Sequence, residues 1–179
     1  MSDAELVAKV LRIKLDKAQQ ILQAHGGLRG LVNSERMASI KEIMLRFLKA
    51  DVINNNFIRS PQAVSDYLRA SLRDARREVF KVIFLDKALR IKSEKDMFFG
   101  TIDEASVHPR EIVREAIMQD ASSVVLVHNH PSGKTEPSRE DYEITQKIKS
   151  ALQTVAVRVL DHIIVGENAY FSFSERNSL

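Results

Sequence analysis

The chain has 179 residues, no cysteine, 44% hydrophobic residues and a formal net charge of +3. That length suits one domain, or one domain with a small appendage. A disulfide scaffold is excluded, and any bound metal must be held by the nitrogen and oxygen ligands of His, Asp and Glu. The opening stretch MSDAELVAKVLRIKLDK is charged and helix-patterned, unlike a signal peptide. No stretch approaches the roughly 20 apolar residues of a bilayer span, so a soluble cytoplasmic protein without a membrane partner is expected. Basicity is uneven: residues 1–60 carry ten Lys and Arg against six Asp and Glu, whereas residues 61–179 carry seventeen against eighteen. A basic N-terminal part reads either as a nucleic-acid contact or as ordinary solvated helix surface.

Residues 4–24 are predicted helical, because Leu6, Val10, Ile13, Ala18, Ile21 and Leu22 recur near helical spacing and Gly26-Gly27 supplies a stop. A second helix is predicted over 35–50, with Met37, Ile40, Met44, Leu45 and Leu48 on its apolar face. The run from Asn54 to Pro61 has turn composition and places the domain boundary, with residues 1–57 as a small helical region and 58–179 as the main domain. Ser60 and Pro61 are predicted to open a helix over 61–74, as N-cap and first helical position. Glu78–Asp86 is rich in β-branched and aromatic residues and reads as a strand, followed by a second over about 89–100. A helix over 110–119 is predicted to turn Ile112, Val113, Ala116 and Ile117 inward. Ser123–Val127 is an entirely apolar strand of the central kind. A helix over 138–152, a strand within 155–165 and a last short strand over 169–173 complete an α/β domain.

Chemistry concentrates where the apolar strand ends. SVVLV runs into His128-Asn129-His130, and strand residues two apart point to one face, so both imidazoles can reach a single ion. Pro131-Ser132-Gly133 turns the chain, Pro137-Ser138 restarts it as a helix, and Asp141 lies in the first helical turn. Two histidines and a carboxylate make the three protein ligands typical of catalytic zinc, with the fourth position left to water. Zinc lowers the pKa of such a water to roughly 7. A structural alternative stands beside this reading: Ser138-x-x-Asp141 is also an acceptable capping box, and the two histidines could be plain loop residues. The other histidines, His25, His108 and His162, are scattered. For a general base the candidate is Glu78, on the face of its strand shared with Phe80, Val82 and Phe84, where a carboxylate is costly without a partner. Its alternative is a solvated strand-end glutamate beside Arg76 and Arg77. Glu111 and Glu115 are rivals expected to face solvent.

His128-Asn129-His130-Pro131-Ser132-Gly133 followed by Pro137-Ser138-Arg139-Glu140-Asp141 resembles the RadC family, a bacterial branch of the JAMM (MPN+) metalloproteins. The shared pattern is an upstream Glu, then H-x-H-P, six residues, and S-x-x-D, and this chain keeps each position. Val107-His108-Pro109-Arg110-Glu111 and Leu160-Asp161-His162 through Gly166 are also similar to RadC text. The resemblance covers about residues 61–179. It implies a cytidine-deaminase-like α/β (α+β) fold, a mixed sheet flanked by helices. It implies one Zn2+ per chain on His128, His130 and Asp141, with Glu78 polarising the metal's water and Ser138 stabilising the oxyanion. Relatives of this type hydrolyse peptide or isopeptide bonds. RadC proteins usually carry an N-terminal helix-hairpin-helix that grips DNA phosphates. Here Ser2–Leu6 and Gly26–Leu31 look like its edges, but no glycine lies between Ile40 and Phe57, so the hairpin itself is missing.

The expected function is therefore zinc-dependent hydrolysis of a peptide or protein substrate. Two other readings stay open: a DNA-associated protein of the repair or recombination type, and a zinc-stabilised interaction module without catalysis. The shortened N-terminal part could instead serve self-association as a homo-oligomer.

Overall fold

A computed structural model describes residues 1–54, 61–72, 75, 77–100, 107–167 and 169–179. The chain divides into two compact units, Met1–Phe47 and Leu48–Leu179. The expected boundary near residue 57 and the expected N-cap at Ser60 lie outside the described residues.

The first unit is helical. In place of one helix over 4–24 there are two, α1 (Asp3–Leu11) and α2 (Leu15–Ala24). Arg12 breaks them apart by entering the left-handed region at φ 52°, a local choice that apolar periodicity does not register. Ser2 caps α1 through a reciprocal box with Glu5. A short α3 (Leu28–Val32), absent from the sequence reading, precedes a 3-10 turn and α4 (Ala38–Asn54). Val7, Ala18, Ile21, Leu31 and Met37 form the core of this unit. Leu6, Val10, Ile40 and Met44 are exposed. A unit of this size buries only part of its apolar surface.

The second unit begins with the end of α4 and continues with α5 (Pro61–Leu72), β1 (Val79–Leu85), β2 (Ile91–Phe99), α6 (Pro109–Met118), β3 (Ser123–Asn129), α7 (Arg139–Gln153), β4 (Arg158–Val165) and β5 (Tyr170–Ser172). The strands make one mixed sheet in the order β2-β1-β3-β4-β5. β1 is antiparallel to both β2 and β3, β3 is parallel to β4, and β4 is antiparallel to β5. β3 is thus central, and all seven of its residues are buried. That is why SVVLV is apolar without alternation.

Side-chain alternation along the sheet divides the core in two. Ile83, Leu85, Val125, Val127, Ile163 and Val165 pack with Val64, Leu68 and Leu72 of α5 on one face. Phe80, Val82, Phe84, Val124 and Leu126 pack with Ile112 and Ala116 of α6 and Ile144, Ile148 and Leu152 of α7 on the other. Ile117 does not turn inward as expected. It is 59% exposed, because Ile112 and Ala116 already occupy the helix face toward the sheet. Glu115 departs from expectation in the opposite sense. It is buried, and its carboxylate accepts from Lys95 Nζ and Gln119 Nε2, both at 2.8 Å.

One irregularity decides the placement of the site. Val124 pairs with Val159, but Val125 pairs with Asp161, so Leu160 is an extra residue in β4. A bulge of this kind reverses which face every later side chain meets. His162 therefore lies opposite Leu126, on the face that His128 shares. Asp161 pins the bulge. Its Oδ1 accepts from the backbone N–H groups of His162 (2.7 Å) and Ser174 (2.9 Å), and its Oδ2 accepts from Ser172 Oγ (2.6 Å).

The core makes a direct prediction. Phe84 is fully buried in the α6–α7 face. Phe84→Ala is expected to cost about 3–5 kcal/mol in chemical denaturation, whereas Ile117→Ser is expected to change stability by less than about 0.5 kcal/mol.

Candidate metal centre

His128 is the second-to-last residue of β3, and its side chain has no exposed surface. Just beyond the strand, the His130 N–H donates to Val165 O at 3.1 Å, which extends the pairing with β4 to that residue. The loop then turns at Gly133, whose N–H donates to His130 O and whose φ of 78° suits glycine. Gly133 O in turn accepts from Glu167 N–H at 3.0 Å. A Cβ on Gly166 would come within 2.5 Å of that same oxygen, so the close approach of the two loops requires glycine there.

α7 opens with Ser138 as N-cap. The Asp141 N–H donates to Ser138 Oγ at 3.1 Å, and Ser138 N–H donates to Asp141 Oδ2 at 2.7 Å. The Ser138 hydroxyl donates to the same Oδ2 at 2.8 Å. The capping box is therefore real, and it takes up one carboxylate oxygen. The other, Oδ1, is buried, lies 3.0 Å from His128 Nε2, and accepts no hydrogen bond. Cap and metal ligand are both open to one aspartate because each uses a different oxygen.

His128, His130 and Asp141 form a group able to hold a metal ion, with their ligand atoms within 4.8 Å of one another. His128 Nε2 and His130 Nε2 are 2.9 Å apart, and His130 Nε2 is 3.4 Å from Asp141 Oδ2. His130 Nδ1 donates to Lys134 O at 3.1 Å, so a neutral ring has its proton there and presents a bare Nε2. Lone pairs from nitrogen and oxygen thus converge at this point, an arrangement that repels itself unless a cation or a proton stands among them. The orphaned Asp141 Oδ1 and the His/His/Asp donor set both fit a metal ion.

Electrostatics agree. Burial pushes the His128 imidazole below its ordinary value, against the pull of Asp141. His130 is raised, first by its bond to Asp141, with burial opposing and Glu78 adding to the rise. Burial alone would raise the Asp141 carboxyl, but the two imidazoles and the Ser138 N–H outweigh it and hold the group well below the carboxylate range.

Glu78 immediately precedes β1, where Phe80 pairs with His128. Asn129, between the two histidines, holds it there. Asn129 Oδ1 accepts from Val79 N–H at 2.8 Å and Asn129 Nδ2 donates to Arg77 O at 3.2 Å, so Glu78 is clamped on both sides. Glu111 sits at the start of α6 among Arg110 and Arg114, and Glu115 is paired with Lys95. Neither rival stands with the histidines. His25 bonds Ile21 O at the end of α2, and His108 precedes α6.

Asn129, Thr145, Asp161 and His162 were not among the predicted site residues. Two signals in the sequence bear on them. Thr145 falls on the same buried stripe of α7 as Asp141, Ile144, Ile148 and Leu152. The doubled apolar pair Val159-Leu160 breaks strand alternation where the bulge lies.

A family model described as the RadC-like JAB domain matches residues 58–178. The chain belongs to this family. UPF0758 proteins of Cellvibrio japonicus, Aeromonas hydrophila and Tolumonas auensis are 41%, 40% and 40% identical to it, with 100% of this chain and 90% of each relative covered. The 201 aligned positions exceed the 179 residues of this chain, so those relatives carry residues within the aligned span that have no counterpart here. No helix among the described residues is long and apolar enough to cross a membrane.

The centre predicts how metal binding depends on pH. Before metal binds, His130 in its protonated form pairs with ionised Asp141, an arrangement that the raised His130 and lowered Asp141 favour. That pair stabilises the fold between the depressed Asp141 pKa and the raised His130 pKa; it is lost as pH falls through the first or rises through the second. Metal must displace the His130 proton. Cobalt(II), followed by its visible absorption, is expected to bind one per chain and to weaken by about tenfold per pH unit per proton as pH falls below the raised His130 pKa. A pH-independent affinity between pH 6 and 8 would contradict this assignment.

Proposed function

We propose that the protein is a zinc-dependent hydrolase of peptide-type bonds. The observation that carries the reading is the buried, orphaned Asp141 Oδ1 at 3.0 Å from His128 Nε2, which lies 2.9 Å from His130 Nε2, with the Glu78 charge close enough to raise the His130 imidazole. The donors would be His128 Nε2, His130 Nε2 and Asp141 Oδ1, a nitrogen and oxygen set that suits zinc. Zinc supplies Lewis acidity there, lowering the pKa of water and polarising a carbonyl.

The chain's own residues would manage the protons. Glu78 accepts one from the attacking water and returns it to the leaving amine, the two halves of general acid–base work. The Asn129 clamp fixes the backbone on either side of Glu78, which limits where its carboxylate can reach. Proximity to His130 is expressed in the rise that Glu78 adds to that imidazole. Ser138 would donate to the oxyanion of the tetrahedral state. Its hydroxyl is engaged with Asp141 Oδ2, but its backbone N–H bonds the same oxygen, so Asp141 keeps a cap partner when the hydroxyl swings away.

Glu78→Gln tests the reading. The variant is expected to bind zinc as the wild type does, by metal analysis, and to lose at least about a hundredfold in hydrolysis of a peptide library. A zinc-loaded wild type that cleaves no member of the library would favour an interaction module instead, as would a silent Glu78→Gln with a lower melting temperature in His128→Ala.

A further inference from the structure

His162 is a buried titratable group that touches the centre but for which the catalytic reading has no use. It sits on β4 with no exposed surface, carried to the His128 face by the bulge at Leu160. Its ring stacks on Phe173 with centroids 4.9 Å apart and lies 5.7 Å from Phe80, surroundings that favour the neutral imidazole. Four groups then form a single hydrogen-bonded chain: His128 Nδ1 to His162 Nε2 at 2.8 Å, His162 Nδ1 to Thr145 Oγ1 at 2.6 Å, and Thr145 Oγ1 to Asp141 O at 2.5 Å.

The direction of the whole chain follows from its last member. A backbone carbonyl only accepts, so the single hydroxyl proton of Thr145 goes to Asp141 O. Thr145 Oγ1 must then accept, and His162 Nδ1 carries the proton it accepts. A neutral His162 with its proton on Nδ1 has a bare Nε2, which accepts from His128 Nδ1–H. His128 is thereby left with a bare Nε2, the atom 2.9 Å from His130 Nε2 and 3.0 Å from Asp141 Oδ1. The carbonyl that sets this order belongs to Asp141, whose carboxylate is itself in the centre.

We propose that Thr145 and His162 are positioning residues that lock His128 in the Nδ1–H tautomer, so that its Nε2 lone pair is offered to the metal. This rests on the reading of His128, His130 and Asp141 as ligands. The alternative tautomer, with the proton on Nε2, would aim an N–H at the ion and abolish ligation. The order of protons is built into the fold before metal arrives. It also gives the bulge in β4 a role: without the extra Leu160, His162 would face α5.

Two measurements on the full chain test this. Long-range proton–nitrogen NMR of the metal-free wild type at neutral pH is expected to show both His128 and His162 protonated at Nδ1 and bare at Nε2. Zinc affinity, measured by competition with a fluorescent chelator, is expected to fall about 10–100-fold in Thr145→Val. Thr145→Ser, which keeps the hydroxyl, is expected to restore affinity and tautomer. Wild-type His128 found protonated at Nε2 would overturn the proposal. So would a folded Thr145→Val that binds zinc as the wild type does, or equal losses in the Val and Ser variants with tautomers unchanged. The wild-type spectrum decides the matter even if Thr145→Val does not fold. Failure of the metal reading looks different: the tautomers appear as expected, and yet no variant, nor the wild type, binds zinc.

Discussion

Asp141 is the point at which the local demands of a helix and the chemical demands of a metal centre meet. An N-terminal helical turn needs acceptors for its free N–H groups, and a cation needs an unencumbered anionic oxygen. Asp141 is able to serve both because its two oxygens are kept apart in role. Oδ2 is engaged with the Ser138 N–H and hydroxyl, and Oδ1 faces His128 Nε2. The cap does more than satisfy α7. By holding Oδ2 it fixes the carboxylate plane, and so fixes the direction in which Oδ1 points. A ligand held by its own helix cap loses little side-chain freedom on binding, since that freedom is already gone before the ion arrives.

The sheet contributes the complementary constraint. β3 is buried on both faces, so its exit is the first position at which a polar side chain can reach a site without opening the core. His128 takes that position and is still wholly enclosed, which is tolerable only because both ring nitrogens have neighbours. Asn129 points to the other side and holds the start of β1. One tripeptide therefore supplies two candidate ligands and the bracket for the candidate base. That economy follows from strand alternation alone.

Much of this was legible in the sequence. The central strand, the helix from Ser138 and the convergence of His128, His130 and Asp141 all follow from period-two and period-3.6 patterning together with a capping signature. What escaped was non-local or local in a way that periodicity misses. The break at Arg12 is a backbone excursion with no apolar marker. Glu115 looked solvated because its partner Lys95 lies on a different strand, and sequence spacing cannot pair them. His162 looked scattered because alternation read straight through β4 puts it on the wrong face. Only the pairing of Val125 with Asp161 shows that one residue has been skipped.

A last physical question is how a cluster of acceptors can assemble as the chain folds, before any ion binds among them. The answer lies in the unequal burial of the two histidines. His128 is enclosed, and desolvation keeps it neutral. His130 is half-buried, close enough to water to carry charge, and drawn upward by Asp141. A proton on His130 can therefore stand in for the ion, pairing with the carboxylate and relieving the repulsion. On the proposed reading the less buried histidine is thus the one that would exchange proton for metal, while the enclosed one would keep its protonation state. A centre built this way would take up an ion by giving up one proton at its accessible edge, and the buried hydrogen-bonded chain behind His128 would not need to rearrange.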